Sequence, residues 1–431
     1  MTMSCSTDLD EFPPNIANAD SLTDFTGVLN AAYYYQLGMN TPMAVMGDFR
    51  ADNMLMDEEP YPEFDRFGPN LTVMEDQFFG PFYTAAYRAI VSCNNVIVNS
   101  EDAALVAEAK FVRALTYFKL VRVFGDVSVI LTVPDIDTIF DFDVTRRPSA
   151  TVYDDVIIPD LRDAIAGLGA TSSNGRASSL SAQALLGKVY MQRGDFINAE
   201  PLLATVAGAS SFSLEANYAD IFDIGNELNS EIIFATQVSS SIIDEYGFSE
   251  FWEWYGGLDT KSLEPLDADI IAAFDAVAGE IADPAMGDLR RAVNIDETLL
   301  RSPKYGQTDG PDYDWIEIRL ADVILLYAEA LNENGAPAST VLPLLDGIRM
   351  RAGLNILDPN TINTQALVRQ AIADERRLEL AFEGHRWFDL VRTGTVDAEM
   401  GEAINPNYYV FPIPISEILA SDGVITQNPG Y

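Results

Sequence analysis

Apolar residues recur every three to four positions along most of this chain, which is the spacing of one face of an α-helix. The clearest stretch runs over 101–124, and its apolar positions are Phe111, Ala114, Phe118 and Val121. Gly125 follows it, and glycine commonly ends a helix because it adopts a positive φ without strain. We expect a helix here, and similar patterns predict helices over 78–98, 315–331 and 341–351.

Two adjacent helices are predicted around a tight turn. Residues 181–193 and 196–207 both show the helical period, and Gly194 lies between them. Four of their residues match the tetratricopeptide pattern, in which small residues let paired helices approach closely: Leu186, Gly187, Tyr190 and Ala199. Gln183 stands where that pattern has a tryptophan. We predict a mainly α fold, a tetratricopeptide-like scaffold of helical hairpins with long loop insertions.

The stretch ERRLELAFEGHRWFDLVRTG, residues 375–394, combines charge, aromatics and glycine at helical spacing. We expect a helix that ends at Gly384 and buries Leu378, Leu380, Ala381 and Phe382. Its other side would carry a ladder of alternating charge made of Glu375, Arg376, Arg377, Glu379 and Glu383. A second helical turn is predicted to point Trp387, Phe388 and Leu390 inward and to pair Arg386, Asp389 and Arg392 with partners. We interpret the stretch as a structural corner, not a catalytic site.

Three long loops interrupt the helical pattern, over 51–72, 239–265 and 301–314. A pure scaffold has little use for such loops, and ligand sites on helical scaffolds are commonly built from them. The third loop holds Asp309, Asp312 and Asp314, but their spacing matches no calcium-binding loop. We therefore predict neither a metal site nor a cofactor.

Charge and composition exclude several classes of protein. The 431 residues include 26 basic and 66 acidic ones, a formal net charge of −40, which repels nucleic acid and other polyanions. The only histidine, His385, leaves little for histidine-based zinc sites or Ser-His and Cys-His nucleophiles. Cys93 lies in an apolar run and is expected to be a buried small hydrophobe. No apolar run reaches the length of a bilayer.

Seven segments in order resemble the SusD/RagB family of glycan-binding outer-membrane lipoproteins. They lie at 108–130, 145–165, 182–203, 316–335, 348–354, 375–394 and at the ending FPIPISEI with QNPGY. The resemblance implies one unit over 1–431, nearly all helical, with a scaffold at about 20–210 plus 315–395 and a loop-rich insertion region at about 211–314. It also implies binding of poly- or oligosaccharide without catalysis, as a lid on a SusC-like TonB-dependent transporter.

Cys5 resembles the acylated cysteine of that family, because the small Ser4 precedes it and a polar segment follows. The family's lipoprotein signal is absent, and we expect that Met1 to Met3 stand in its place. The resemblance thus implies a lipid anchor at Cys5 and a surface-exposed position on the outer membrane, although an incidental cysteine remains an alternative.

A saccharide site needs exposed, rigid aromatic planes and a few polar groups, because pyranose rings present flat C–H faces. Trp252 and Trp254 alternate with Glu253, so an extended loop would turn both indoles to one side, with Tyr255 beside them. A hydrophobic plug that closes the helical stack is the alternative.

The early loop supplies a second candidate arm, made of Tyr61, Phe64 and Phe67. Hydroxyl partners could come from Arg50, Asp52, Asn53, Glu253 and Asp259, although surface solvation explains these five equally well. The other two tryptophans, Trp315 and Trp387, are assigned to the core.

The net charge disfavours uronate or sulfated polymers, so we predict a neutral glycan. Two other functions remain open. An all-helical glycoside hydrolase or lyase needs only a pair of carboxylates beside a cleft. A tetratricopeptide-type adaptor would bind a peptide in its concave groove.

Overall fold

Helices form most of the structure, a computed structural model that describes residues 24–133, 142–172, 174–239, 250–258, 262–277, 287–306 and 313–431. The helices before the insertion region are α1 (Phe25–Tyr34), α2 (Asn40–Ala44), α3 (Gly80–Asn99), α4 (Ala103–Phe124), α5 (Ser149–Val152), α6 (Ile158–Gly167), α7 (Ser179–Gln192) and α8 (Phe196–Ala207). The later helices are α9 (Phe251–Tyr255), α10 (Ala268–Ala276), α11 (Arg291–Asn294), α12 (Leu320–Glu333), α13 (Ala338–Val341), α14 (Pro343–Arg351), α15 (Gln365–Glu379), α16 (Arg386–Thr393), α17 (Val396–Glu399) and α18 (Ile415–Ala420). The mainly α class is confirmed.

The described strands form two short antiparallel pairs. One joins β1 (Val127–Ser128) to β2 (Arg146–Arg147), and the other joins β3 (Ile232–Thr236) to β4 (Trp315–Arg319). Within the parts of the chain that the structure describes, no helix combines the length and the apolar character that crossing a bilayer requires.

The predicted hairpin of α7 and α8 is confirmed. Ser178 caps α7 by accepting a hydrogen bond from the Ser181 backbone, and Asp195 caps α8. Gly187 is where the two helices meet, since a Cβ at this position would lie 2.6 Å from a methyl carbon of Leu203. Only glycine permits this approach.

The helix predicted over 315–331 is wrong in its first turn. Trp315 to Arg319 form β4, and α12 begins at Leu320. Thr236 pairs with Trp315, and Ile232 pairs with Arg319. The partner strand lies far away in sequence, so the helical period of 315–331 could not reveal the pairing.

The C-terminal corner is partly as predicted. Helix α15 ends at Glu379, five residues before Gly384. Phe382 and Gly384 then have φ values of +62° and +73°, which turn the chain into α16. Trp387 is buried, as predicted, and so are the inward side chains Phe388 and Leu390.

Arg319 is the centre of a buried ion network that joins this corner to the insertion region. Its guanidinium donates to Glu231 Oε1, Glu379 Oε1 and Glu383 Oε2, each at 2.7 Å. Lys304 Nζ donates to Glu383 Oε1 at 2.6 Å. Burial alone would raise the pKa of the Glu383 carboxyl. The positive charges of Arg319 and Lys304 outweigh this effect and lower the pKa to about 2.

The predicted ladder of alternating charge on α15 is therefore wrong. Glu375, Arg376, Glu379 and Glu383 are buried. Arg290 Nη1 donates to Glu375 Oε1 at 2.6 Å, so a residue of the insertion region supplies part of the balancing charge. Charges buried this far from water need paired partners, and those partners come from remote parts of the chain.

Candidate functional site

The two predicted aromatic arms meet in space. The Tyr61 ring centroid lies 6.0 Å from that of Trp254, and Phe78 lies 5.5 Å from both Trp254 and Phe64. The early loop and the segment after residue 249 therefore form one aromatic cluster. The sequence pattern selected residues that do belong together.

The cluster is interior, and the expectation of an exposed platform is wrong. Trp252 is 7 % exposed, Trp254 5 % and Tyr61 9 %, while Phe64 and Tyr255 are fully buried. Residues 251–255 form α9 instead of an extended strand. Because each helical residue turns the chain by about 100°, Trp252 and Trp254 point in nearly opposite directions. Whether any of the five contributes to binding remains a prediction.

Tyr255 anchors α9 to the core. Its hydroxyl donates to Asp48 Oδ2 at 2.7 Å, and its ring stacks on Phe49 at 5.8 Å. The Gly384 backbone N–H donates to the same Asp48 oxygen at 2.7 Å. Burial raises the pKa of Asp48 to about 6, although these two donors oppose that rise. Asp48 thus ties α9 to the C-terminal corner.

The predicted hydroxyl partners of a sugar are mostly occupied. Asp52 accepts two hydrogen bonds from Arg386, at 2.7 Å each, and Asn53 accepts one from Arg377 at 3.1 Å. Arg50 is buried and donates to the Tyr408 carbonyl at 3.0 Å. These three residues are buried and hold the early loop in place, so solvation at the surface does not explain them, and a role as hydroxyl partners stays a prediction.

The remaining residues singled out from the sequence are Glu253 and Asp259, the anchor candidate Cys5 and the three aspartates of the third loop. Glu253 is half-buried on α9. Asp259 and the anchor candidate Cys5 lie outside the described residues. Asp309 and Asp312 lie outside them too, and Asp314 accepts a hydrogen bond from the Val238 backbone at 2.8 Å. Among the described residues, no group of His, Cys, Asp and Glu could hold a metal ion.

Phe67 is the member of the second arm that reaches solvent. Its ring is half-buried and stacks on Trp387 at 5.6 Å, and the Arg50 guanidinium lies 4.3 Å from its centroid. Its φ of +48° is strained for a bulky residue. Nearby, burial raises the pKa of the Asp65 carboxyl to about 8. Strain and a shifted carboxyl pKa both mark this loop as a candidate functional segment.

A polar crevice lies beside α15, in two adjoining cavities of about 430 and 340 Å³. Four of the carboxylates that line it are paired with arginines: Glu329 with Arg392, Glu333 with Arg369, Asp389 with Arg376 and Arg392, and Glu399 with Arg386. Burial alone would raise the pKa of Asp389, but the two guanidiniums lower it well below its ordinary value. The Asp389 carboxyl is therefore kept ionised, which suits a supporting role better than proton donation.

A groove of about 490 Å³ opens along α3, between Tyr35 after α1, the strand β1 and the C-terminal segment, and sequence reasoning missed it. Its lining residues are Tyr35, Tyr83, Thr84, Tyr87, Arg88, Val91, Ser92, Ser128, Ile130, Val144, Glu417 and Ile425. The signal was present, because Tyr83 and Tyr87 are one helical turn apart with Arg88 next to them. The helical pattern over 78–98 predicts the helix but not which of its faces borders a groove.

Comparisons with known proteins agree with this architecture. Residues 293–408 match the sequence model described as the SusD family, and residues 9–191 match one described as "Starch-binding associating with outer membrane". Two relatives come from Formosa agariphila. "SusD-like protein P2" is 28 % identical, and the match covers 84 % of this chain and 83 % of the relative. "SusD-like protein P38" is 29 % identical, and the match covers 94 % of this chain and 90 % of the relative.

Solved structures of similar fold cover nearly the whole chain. A "Laminarin binding SusD-like protein" is 26 % identical, with a TM-score of 0.72 over 95 % of this chain and 99 % of its own. A SusD superfamily protein from Bacteroides vulgatus is 21 % identical, with a TM-score of 0.79. The match covers 96 % of this chain and 100 % of that protein. This chain belongs to the SusD/RagB family.

Proposed function

We propose that this protein binds a neutral poly- or oligosaccharide at the outer surface of the outer membrane and delivers it uncleaved to a SusC-like TonB-dependent transporter. The observation that carries the proposal is the whole-chain likeness to a laminarin-binding SusD-like protein. The family description of starch binding at the outer membrane supports the same class of ligand and location.

The neutral ligand follows from charge. At a formal −40, the protein repels uronate and sulfated polymers over the range of a Debye length, whereas a neutral glucan is unaffected. Laminarin is itself a neutral β-glucan, so the similar structure and the electrostatics favour the same class.

The pairing of the carboxylates in the crevice beside α15 favours binding without cleavage at that crevice. Glycoside hydrolysis needs one carboxylic acid with a raised pKa and a second carboxylate on the other side of the bond. In the crevice beside α15, arginines hold Glu329, Glu333, Asp389 and Glu399 as ion pairs. Burial lowers the pKa of His385 to about 4, so its imidazole is neutral and is no acid at pH 7.

The aromatic arms have a role in this proposal that differs from the one expected from sequence. Trp254, Tyr255, Tyr61 and Phe64 pack beneath the early loop and support it, and Trp252 is buried as well. Phe67 then presents the accessible ring of the loop. A rigid loop loses little entropy when a sugar binds.

Anchoring and partnership complete the proposal. Acylation of Cys5 would hold the protein on the outer membrane against its repulsive charge, because each buried methylene contributes about 0.8 kcal/mol. If a Cys5→Ser variant, expressed behind a lipoprotein signal, still partitions with membranes, the lipid anchor is wrong. Co-purification of the wild type with a SusC-like transporter tests the partner.

The binding claim is tested with a glycan array and a reducing-end assay on the same panel. We expect retention of neutral glucans and no release of reducing ends above background. Release of reducing ends would support the hydrolase instead. Capture of a peptide together with no glycan retention would support the adaptor.

A further inference from the structure

We propose that the groove along α3 is a second carbohydrate-binding surface, which takes a neutral oligosaccharide against Tyr87 and Tyr35. The inference rests on the proposed function, because it names a site for the same class of ligand. It differs from the loop around Phe67, which lies next to Trp387 and the C-terminal corner.

Helix α3 presents two parallel rows of side chains to this groove. Tyr83, Tyr87 and Val91 form one row at intervals of four residues, which places them on one face of the helix. The Tyr83 and Tyr87 ring centroids lie 4.6 Å apart with an interplanar angle of 37°. Tyr83 is buried and Tyr87 half-buried, so Tyr83 supports Tyr87 from the core side. Tyr87 is therefore the accessible ring.

Tyr87 is fixed in orientation. Its hydroxyl donates to the Ser128 carbonyl at 2.8 Å, and Ser128 belongs to β1 on the groove wall. Burial raises the pKa of Tyr87 well above its ordinary value, so the hydroxyl stays neutral and keeps donating. The hydroxyl of Tyr87 is hydrogen-bonded and its ring contacts Tyr83, so the side chain has little rotamer freedom to lose when a sugar stacks on it.

Tyr35 supplies a second ring near the groove mouth. It directly follows α1 and is half-buried, and the Arg88 guanidinium lies 6.0 Å from its ring centroid. Arg88 is exposed and carries N–H donors that suit sugar hydroxyls. Two partly accessible rings and a guanidinium donor in one groove lining are the elements that a saccharide site requires.

The second row of α3 adds small polar groups. Thr84, Arg88 and Ser92 are spaced by four residues and line the groove beside the tyrosines. The hydroxyls of Thr84 and Ser92 can both donate and accept, as sugar hydroxyls require. The groove volume of about 490 Å³ falls within the ~300–1,000 Å³ range of small-ligand sites.

The charge of the lining selects the ligand class. Arg88 and Glu417 are the charged residues among those that line the groove, one of each sign. The lining is therefore balanced within a protein of formal charge −40. A neutral saccharide meets no opposing field here, whereas a polyanion would meet the whole protein's repulsion.

The test is titration calorimetry with laminarin on the full chain. Tyr87→Ala is expected to weaken binding roughly tenfold or more, and Tyr35→Ala and Arg88→Ala by smaller factors, since each truncation removes part of the contact. Tyr87→Phe keeps the ring and is expected to stay within about threefold of the wild type. Val91→Trp fills the groove without removing a tyrosine and is expected to reduce binding as well.

Tyr327→Ala is the matched control, because Tyr327 is a half-buried helical tyrosine on α12 that lies outside the groove lining. It should leave affinity unchanged. Near-ultraviolet circular dichroism of each variant verifies folding, and Val91→Trp decides the question if Tyr87→Ala does not fold.

The outcomes separate the two proposals. Wild-type binding with undiminished affinity in Tyr87→Ala, Tyr35→Ala and Val91→Trp would overturn the groove and leave the proposed function intact. Loss of affinity only in Phe67→Ala would place the ligand at the early loop and would also overturn the groove. A wild type that binds neither laminarin nor any neutral glycan of the array would contradict the proposed function and the groove together.

Discussion

Trp254 and Tyr61 lie with their ring centroids 6.0 Å apart in the interior, although they belong to different loops of the sequence. Their contact joins the early loop to the insertion region. The pair therefore stabilises the framework on which the accessible ring of Phe67 is displayed.

Trp254→Ala is expected to lower the free energy of unfolding by about 3–5 kcal/mol, because it removes a buried indole and leaves a cavity. Trp254→Phe is expected to lower the free energy of unfolding by less, since it keeps part of the ring contacts to Tyr61 and Phe78. Urea unfolding measures both. Unchanged stability of Trp254→Ala together with lost glycan retention would mean that Trp254 is a binding ring after all.

Arg319→Ala is expected to destabilise the protein by about 3–5 kcal/mol, because it leaves Glu231, Glu379 and Glu383 buried around a lost cation. The control is Arg147→Ala, which breaks an exposed pair with Asp143 and should change stability by less than about 1 kcal/mol. Equal effects of the two substitutions in thermal unfolding would show that the network is not needed for stability.

Gly47→Ala is expected to destabilise strongly, by several kcal/mol at least, because its Cβ would lie 2.3 Å from the Gly384 carbonyl oxygen. Backbone on both sides prevents relief of the clash. Gly68→Ala is the control, since its Cβ would meet nothing closer than 3.9 Å and its φ is −135°. If the two variants melt at the same temperature, the close approach of residues 47 and 384 is wrong.

His385 is expected to make stability depend on pH. Burial lowers its pKa to about 4, and the groups that act on it are Lys188, Asp322, Asp389 and Glu383. The unfolded chain binds a proton near pH 6.5 and the folded chain only near pH 4, so stability falls as pH drops through this window, by about 3 kcal/mol in all.

The difference between wild type and His385→Gln isolates this effect. It must be taken as a difference because burial raises the pKa of Asp48 to about 6 and that of Asp65 to about 8, and raised carboxyl pKa values give the opposite slope. The chain has one histidine, so NMR observes a single imidazole. An imidazole that titrates near pH 6.5 would contradict the prediction.

Local structure was predictable where local contacts decide it. The bounds of α8 match the predicted 196–207, because Gly194 and the three-to-four spacing both act within a few residues. Strand β4 was missed because its partner β3 lies about eighty residues earlier in the chain. The local spacing of apolar residues does not indicate pairing between such distant segments. The buried partners of Glu379 and Glu383 were missed for the same reason.

In the candidate site, too, local sequence predicted the residue types but not which side chains are exposed. Sequence selected Trp254 in one arm and Tyr61 and Phe64 in another, and the structure joins the two arms in one buried cluster. The predicted exposure failed because residues 251–255 form the helix α9 instead of an extended segment. The groove at Tyr87 needed α1, β1 and the C-terminal segment to be placed around α3, which no local pattern supplies. Residue type indicated the chemistry, while the tertiary fold decided which rings reach solvent.

The most direct test of the account is titration calorimetry of the full chain with laminarin and with alginate, a uronate polymer, at low and at physiological salt. We predict binding to laminarin with an affinity that salt barely changes, and no binding to alginate at either salt concentration. Binding to alginate with no heat from laminarin or any other neutral glucan would contradict it.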